Sequence, residues 1–211
     1  MIRHCLFLIL VSTQVASADV RVIDGDTLDI DGTIYRLNGI DAPEHGQTCG
    51  DWRCGAAATD ALADLIEGEK VTCNTISEDG YGRLIATCFA DGHDLSAQMV
   101  DKGLAWAFVR YSDDYLRDEL NAKEEALGIW TGDYQPPWQF REERWKAAQS
   151  TEDQAPPGCP IKGNISANGR IYHAPWSPWY SRTRINTSKG ERWFCDEAEA
   201  VAAGWRAPYW D

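Results

Sequence analysis

The sequence predicts a mainly β, α+β fold: a five-stranded barrel interleaved with about three helices, then a small C-terminal module. Three observations predict it. Short runs of strand-like composition, punctuated by turn dipeptides, crowd the first half of the chain. Helical periodicities alternate with them, and each stops at or near a glycine. Past residue 150 the composition shifts to Pro, Trp and Arg, which marks a separate unit. At 211 residues the chain can hold one medium domain with a proper core plus an appendage.

Residues 1–18, MIRHCLFLILVSTQVASA, read as a secretory signal peptide: a basic start, an apolar run over 5–11, and the small-residue cleavage signal Ala16-Ser17-Ala18. The mature chain is expected to begin at Asp19, outside the cytoplasm (periplasm or medium), as a monomer without membrane insertion. No later stretch is long and apolar enough to span a bilayer. Residues 20–23, 27–30 and 33–37 then read as short strands, with Asp31-Gly32 marking a hairpin. Residues 56–66 place Ala57, Leu62, Leu65 and Ile66 on one helical face, and Gly68 follows the end. Residues 70–76 and 84–89 are two more strands joined by Asp79-Gly80-Tyr81-Gly82. Residues 95–102 form a short helix stopped by Gly103, and 115–127 a third helix closed by Gly128. Five strands with helices interleaved is the order of an OB-type barrel, a fold often used for oligonucleotides. Residues 139–149 read as a charged helix and 150–158 as a linker. The expected domains are therefore 1–18, 19–132, 133–157 and 158–211.

Seven cysteines less Cys5 leave six, an even number that suits three disulfides in an exported chain. Cys73 and Cys88 lie on neighbouring strand runs, Cys49 and Cys54 close a tight loop, and Cys159 and Cys195 staple the tail. Zinc is the competing reading, but the sequence has no Cys-x-x-Cys pair and its histidines are scattered. Net charge is −13, and it is unevenly spread. Residues 19–154 carry 12 basic and 28 acidic side chains, a net of −16, whereas 155–211 carry 7 and 5, a net of +2. A domain that negative repels polyanions, which argues against a nucleic-acid enzyme unless a local cluster of arginines overrides it.

Such a cluster is written in the sequence. Asp24-Gly25-Asp26-Thr27, Arg36, Asp41-Ala42-Pro43-Glu44 and Tyr81-Gly82-Arg83 supply two carboxylates suited to a hard cation, a third carboxylate, and two guanidinium forks suited to phosphate oxygens. Singly, each has a plainer reading: Asp-Gly pairs make turns, Pro43 shapes a loop, and Arg36 points outward from a strand. Together they describe phosphodiester hydrolysis.

These residues also carry a resemblance. VIDGDTLDIDGTIYRLNGIDAPE, with EDGYGR and then KGLAW in order, resembles the thermonuclease (staphylococcal nuclease-like) family from residue 19 to 130. The resemblance implies an OB-type fold and a Ca²⁺-dependent endonuclease that cuts DNA and RNA to 3′-phosphate ends. It implies Asp26, Asp41 and the backbone carbonyl of Ala42 as Ca²⁺ ligands, Arg36, Glu44 and Arg83 as the catalytic set, and Tyr81 as a substrate contact. The family's basic loop after the Pro-Glu motif is replaced here by the Cys49–Cys54 segment. A non-catalytic OB module that binds nucleic acid or another polyanion is the alternative, favoured by the net charge. The segments CPIKGNIS, YHAPWSPWY, GERWFC and EAEAVAAGWR resemble a small sunset-type module of bacterial exported proteins. Its arginines and five tryptophans suggest that it steers substrate without touching the chemistry; a cell-wall or partner-binding appendage is the competing expectation.

Overall fold

The computed structural model describes residues 19–151 and 155–209, so the signal-peptide reading lies outside the described residues. Strands β1 (Val20–Asp24), β2 (Thr27–Ile30) and β3 (Thr33–Leu37) form an antiparallel meander. Asp31 and Gly32, at φ 52° and 84°, are both left-handed, which is the turn that suits a two-residue hairpin. The two-residue β4 (Ile40–Asp41) follows, then α1 (Cys54–Ile66). β5 (Val71–Glu78) and β6 (Leu84–Ala90) make a second hairpin, and β6 lies parallel to β3. The sheet order is thus β1-β2-β3-β6-β5, the OB-type arrangement expected. β7 (His93–Asp94) folds back antiparallel on the end of β6, and β8 (Trp106–Ala107) pairs with β4. At two residues each, β4, β7 and β8 are too short to leave a periodic signal.

Helices α2 (Leu95–Asp101) and α3 (Leu116–Glu124) complete the domain. Leu28, Leu37 and Ile40 from the strands meet Ala58 and Leu62 of α1 and Leu95 and Met99 of α2, all buried. Burying each large side chain contributes about 1.5–3 kcal/mol. The buried face of α1 runs through Ala58 and Leu62, leaving Leu65 and Ile66 half-covered at its edge. Helix α4 (Pro137–Thr151) opens on a proline, where no amide partner is needed. It does not stand free in solvent as its charges suggest: Phe140 and Ala148 are buried.

The tail is a second small unit. β9 (Ile161–Ser166) is central between β10 (Gly169–His173) and β11 (Arg192–Phe194), and α5 (Glu197–Ala202) follows. Ile161, Phe194, Ala200 and Trp205 form its core. Disulfides join Cys49 to Cys54, Cys73 to Cys88 across the β5–β6 ladder, and Cys159 to Cys195 in the tail. His173 is buried, its ring nitrogens 3.3 Å from Ser177 Oγ and 3.2 Å from Asn164 Oδ1. Trp106 is buried beside Trp130 and Trp138, a packing role, and Arg110 is exposed. Among the described residues no helix is long and apolar enough to cross a membrane.

Candidate active site

The tight turn from β1 into β2 delivers Asp26, which is 2% exposed. The Thr27 hydroxyl donates to Asp26 Oδ1 (3.0 Å) and the Ala42 amide to Asp26 Oδ2 (2.9 Å). Strand β3 points Arg36 at the same place. Its Nη1 donates to Asp26 Oδ1 and its Nη2 to Asp41 Oδ1 at 2.9 Å. Asp41, at the end of β4, is fully buried. Three residues on, Glu44 sits over the start of α1. A Cβ at Gly55 would fall 1.7 Å from the Glu44 carbonyl oxygen, so only glycine lets α1 begin so close beneath that segment.

The principal partner of Asp41 and Glu44 was not visible in the sequence. Arg141, on α4, donates from Nη1 and Nη2 to the two oxygens of Asp41 at 3.0 and 2.8 Å, and from Nη1 to Glu44 Oε1 at 2.7 Å. A guanidinium fork on a carboxylate is the strong form of ion pair. Nothing local singles out Arg141, which lies among four other charged residues from 142 to 146 and a hundred residues from Asp41. The only hint was proline-led helix placement after the domain.

The electrostatics follow from this crowding. Burial tends to raise the Asp26 carboxyl, but Arg36, the Ala42 amide, Asp24 and Arg141 outweigh it, leaving it below its ordinary value. Burial, with Asp26 and Glu44 nearby, pushes Asp24 well above the carboxylate range. Glu44 is raised to about 7, by burial and by Asp26 and Asp41, against the pull of Arg141. Burial works to lower the Arg36 and Arg141 guanidiniums, but the surrounding carboxylates hold both above their ordinary value.

Arg83 and Tyr81 stand at the rim rather than in this array. Asp79 accepts from Arg83 Nε at 2.8 Å, and the Arg83 guanidinium lies 5.2 Å from the ring of the exposed Tyr81. Arg83 nonetheless feels the positive charge of Arg36, and it lines one cavity with Glu44 and Asp24. That cavity, about 320 Å³, is also lined by the tail, through Tyr172, Trp176 and Glu197. The module is docked, and the irregular segment after α5 is pinned where the Tyr209 hydroxyl donates to Asp29 Oδ2 at 2.7 Å.

The donor set fits a hard divalent cation. The carboxylate oxygens of Asp26, Asp41 and Glu44 are drawn together by the bridging guanidiniums of Arg36 and Arg141. Oxygen donors of this kind suit calcium-type chemistry. Among the described residues no three His, Cys, Asp or Glu side chains form a metal cage. The expected set has only two such side chains, Asp26 and Asp41, and takes its third oxygen from the Ala42 backbone.

Comparison with known proteins agrees with the geometry. Residues 34–132 match the family model described as staphylococcal nuclease homologue, and residues 142–207 match a model described as ArfC, not the sunset-type module expected. An uncharacterized endonuclease of Escherichia coli O157:H7 is 35% identical over 149 residues, covering 64% of this chain and 94% of that protein. The succinoglycan biosynthesis protein ExoI of Rhizobium meliloti (strain 1021) is 38% identical over 119 residues, 52% of this chain and 61% of its own. A micrococcal nuclease of Shigella flexneri is 34% identical over 140 residues, 58% and 78% respectively. With the barrel order, the acidic and arginine stations and near-complete coverage of the first of these relatives, the chain belongs to the staphylococcal nuclease homologue family.

Proposed function

We propose that the chain is an exported, Ca²⁺-dependent endonuclease that hydrolyses DNA and RNA to 3′-phosphate ends. The observation that carries this reading is the buried array Asp26–Arg36–Asp41–Arg141–Glu44, whose Glu44 lines one cleft with Arg83. A phosphodiester resists attack because its negative charge repels the nucleophile. Arg36 and Arg83 present forks to the equatorial oxygens, where charge builds in the transition state. Glu44 takes a proton from the attacking water, help that is typically worth about 10²–10⁴-fold. Arg141 positions Glu44. Water oxygen bonds to phosphorus, the bond from phosphorus to the 5′ oxygen breaks, and the 5′ oxygen leaves as an alkoxide that takes a proton from solvent to become the hydroxyl. Asp26, Asp41 and the Ala42 carbonyl would hold the cation, which supplies charge neutralisation at the phosphate. Tyr81 contacts a phosphate at the rim.

Three disulfides support an oxidising compartment. The net charge of −16 over residues 19–154 favours the second reading, a polyanion-binding module without turnover. Digestion of single-stranded DNA and RNA in Ca²⁺ and then in excess chelator separates the two. Hydrolysis that needs Ca²⁺ and leaves 3′-phosphates is expected. Full activity in chelator would overturn the metal assignment, and 5′-phosphate ends would overturn the bond assignment.

A further inference from the structure

The tail adds aromatic side chains to a cleft to which the barrel brings Tyr81. Glu44 and Arg83 share its lining with Tyr172 of β10, Trp176 in the loop after it, and Glu197 at the start of α5. At about 320 Å³ the space lies at the lower end of ligand sites, room for one nucleotide unit. The placement is built, not incidental. A Cβ at Gly46 would come within 2.9 Å of the Trp176 carbonyl oxygen and 3.1 Å of Pro178 Cδ, so the segment after Glu44 is shaped to receive this loop. Trp176 also meets Trp145 of α4, the helix that carries Arg141, with ring centroids 6.3 Å apart. The charges agree: burial raises both Tyr172 and Glu197, and Arg83 pulls each of them down.

Aromatic faces stack on any base, and a carboxylate accepts from base amino groups. We propose that Tyr172, Trp176 and Glu197 form a base subsite of the active-site cleft, holding one unpaired nucleotide of a single strand whose phosphate faces Arg83. This rests on the nuclease reading above. It makes the tail a specificity element for that reaction, and it puts the binding of the base on residues outside the barrel domain.

The test uses the full chain and two single-stranded oligonucleotides, one normal and one with abasic units on both sides of the scissile diester. Wild type is expected to cleave the normal strand with kcat/KM at least about fivefold higher, within the range that removing a stacking ring costs. Trp176→Ala and, as a milder change, Tyr172→Leu are expected to bring the normal strand down toward the abasic rate while abasic cleavage stays as in wild type. Equal cleavage of both strands by wild type, or an equal loss on both in the variants, would overturn the subsite. If wild type cleaves neither strand, the nuclease reading has failed on its own. The subsite is then read by binding: quenching of tryptophan fluorescence favouring the normal strand, lost in Tyr172→Leu, supports it, and equal binding of the two strands overturns it.

Discussion

Arg141 joins Asp41 and Glu44 through three hydrogen bonds, and Asp41 is fully buried. A buried carboxylate that loses its partner is costly, and Arg141 is itself one-quarter exposed, which softens the loss. Arg141→Met should therefore lower stability by about 1–3 kcal/mol, measured by urea unfolding. The freed carboxylates should then bind Ca²⁺ more readily, so added Ca²⁺ should raise the unfolding midpoint of the variant more than that of wild type. Arg36→Lys and Arg83→Lys keep the charge but lose the fork, and each should cut kcat by roughly 10²-fold or more in a single-turnover assay. At this scale Asp26, Arg36, Asp41, Glu44 and Arg83 were legible, because short spacings and turns tie them to known strand ends. Arg141 was not. A cation inside a charged helix has the same local signature whether it faces solvent or a carboxylate a hundred residues away.

Helix α1 starts directly under the Glu44 segment, and that approach hangs on Gly55. Gly55→Ala would force backbone to move against the Glu44 carbonyl, since the added carbon has 1.7 Å of room. Such overpacking costs about 1–3 kcal/mol, and the displaced Glu44 should lose turnover more than affinity, read as a fall in kcat with KM little changed. The strands and helices of the barrel could be read from alternation and turn chemistry: β2 and β3 flank Asp31-Gly32, and α2 stops before Gly103. The two-residue strands β4, β7 and β8 could not, because they exist only through pairing with distant partners. Helix α4 was legible as a helix, but its docking through Phe140 and Ala148 left no continuous apolar stripe to read.

At the scale of the whole molecule the tail and the barrel enclose one cleft, so a change in the tail's fold reaches the site. His173 lies in the tail between Asn164 and Ser177, and burial together with Lys162 lowers its pKa from 6.5 to about 4. The unfolded chain thus takes a proton on this ring before the folded one does. Its contribution to stability is complete above about pH 6.5 and is lost progressively as pH falls toward 4. Glu44, raised to about 7, titrates with the opposite sign, so the His173 contribution is read as a difference: as pH falls from 6.5 toward 4 the urea midpoint of wild type should drop relative to that of His173→Gln, which keeps a polar partner without the titration. A difference between the two that stays constant across the window would contradict this. The sequence showed the tail as a separate, basic, tryptophan-rich unit, but not where it docks. Contacts such as Tyr209 to Asp29 are specified only by the folded surfaces on both sides. They bring the tail to the cavity that Glu44 and Arg83 line. Arg36, Arg83 and Arg141 lie in an otherwise acidic domain, each paired with a carboxylate. The central claim is that Glu44, held by Arg141, does the proton transfer of phosphodiester hydrolysis. It is tested most directly by comparing single-turnover cleavage of single-stranded DNA in saturating Ca²⁺ by wild type and Glu44→Gln, with both shown to be folded. A loss of about 10²-fold or more in the variant, with DNA binding retained, is the predicted result; wild-type turnover by Glu44→Gln would contradict it.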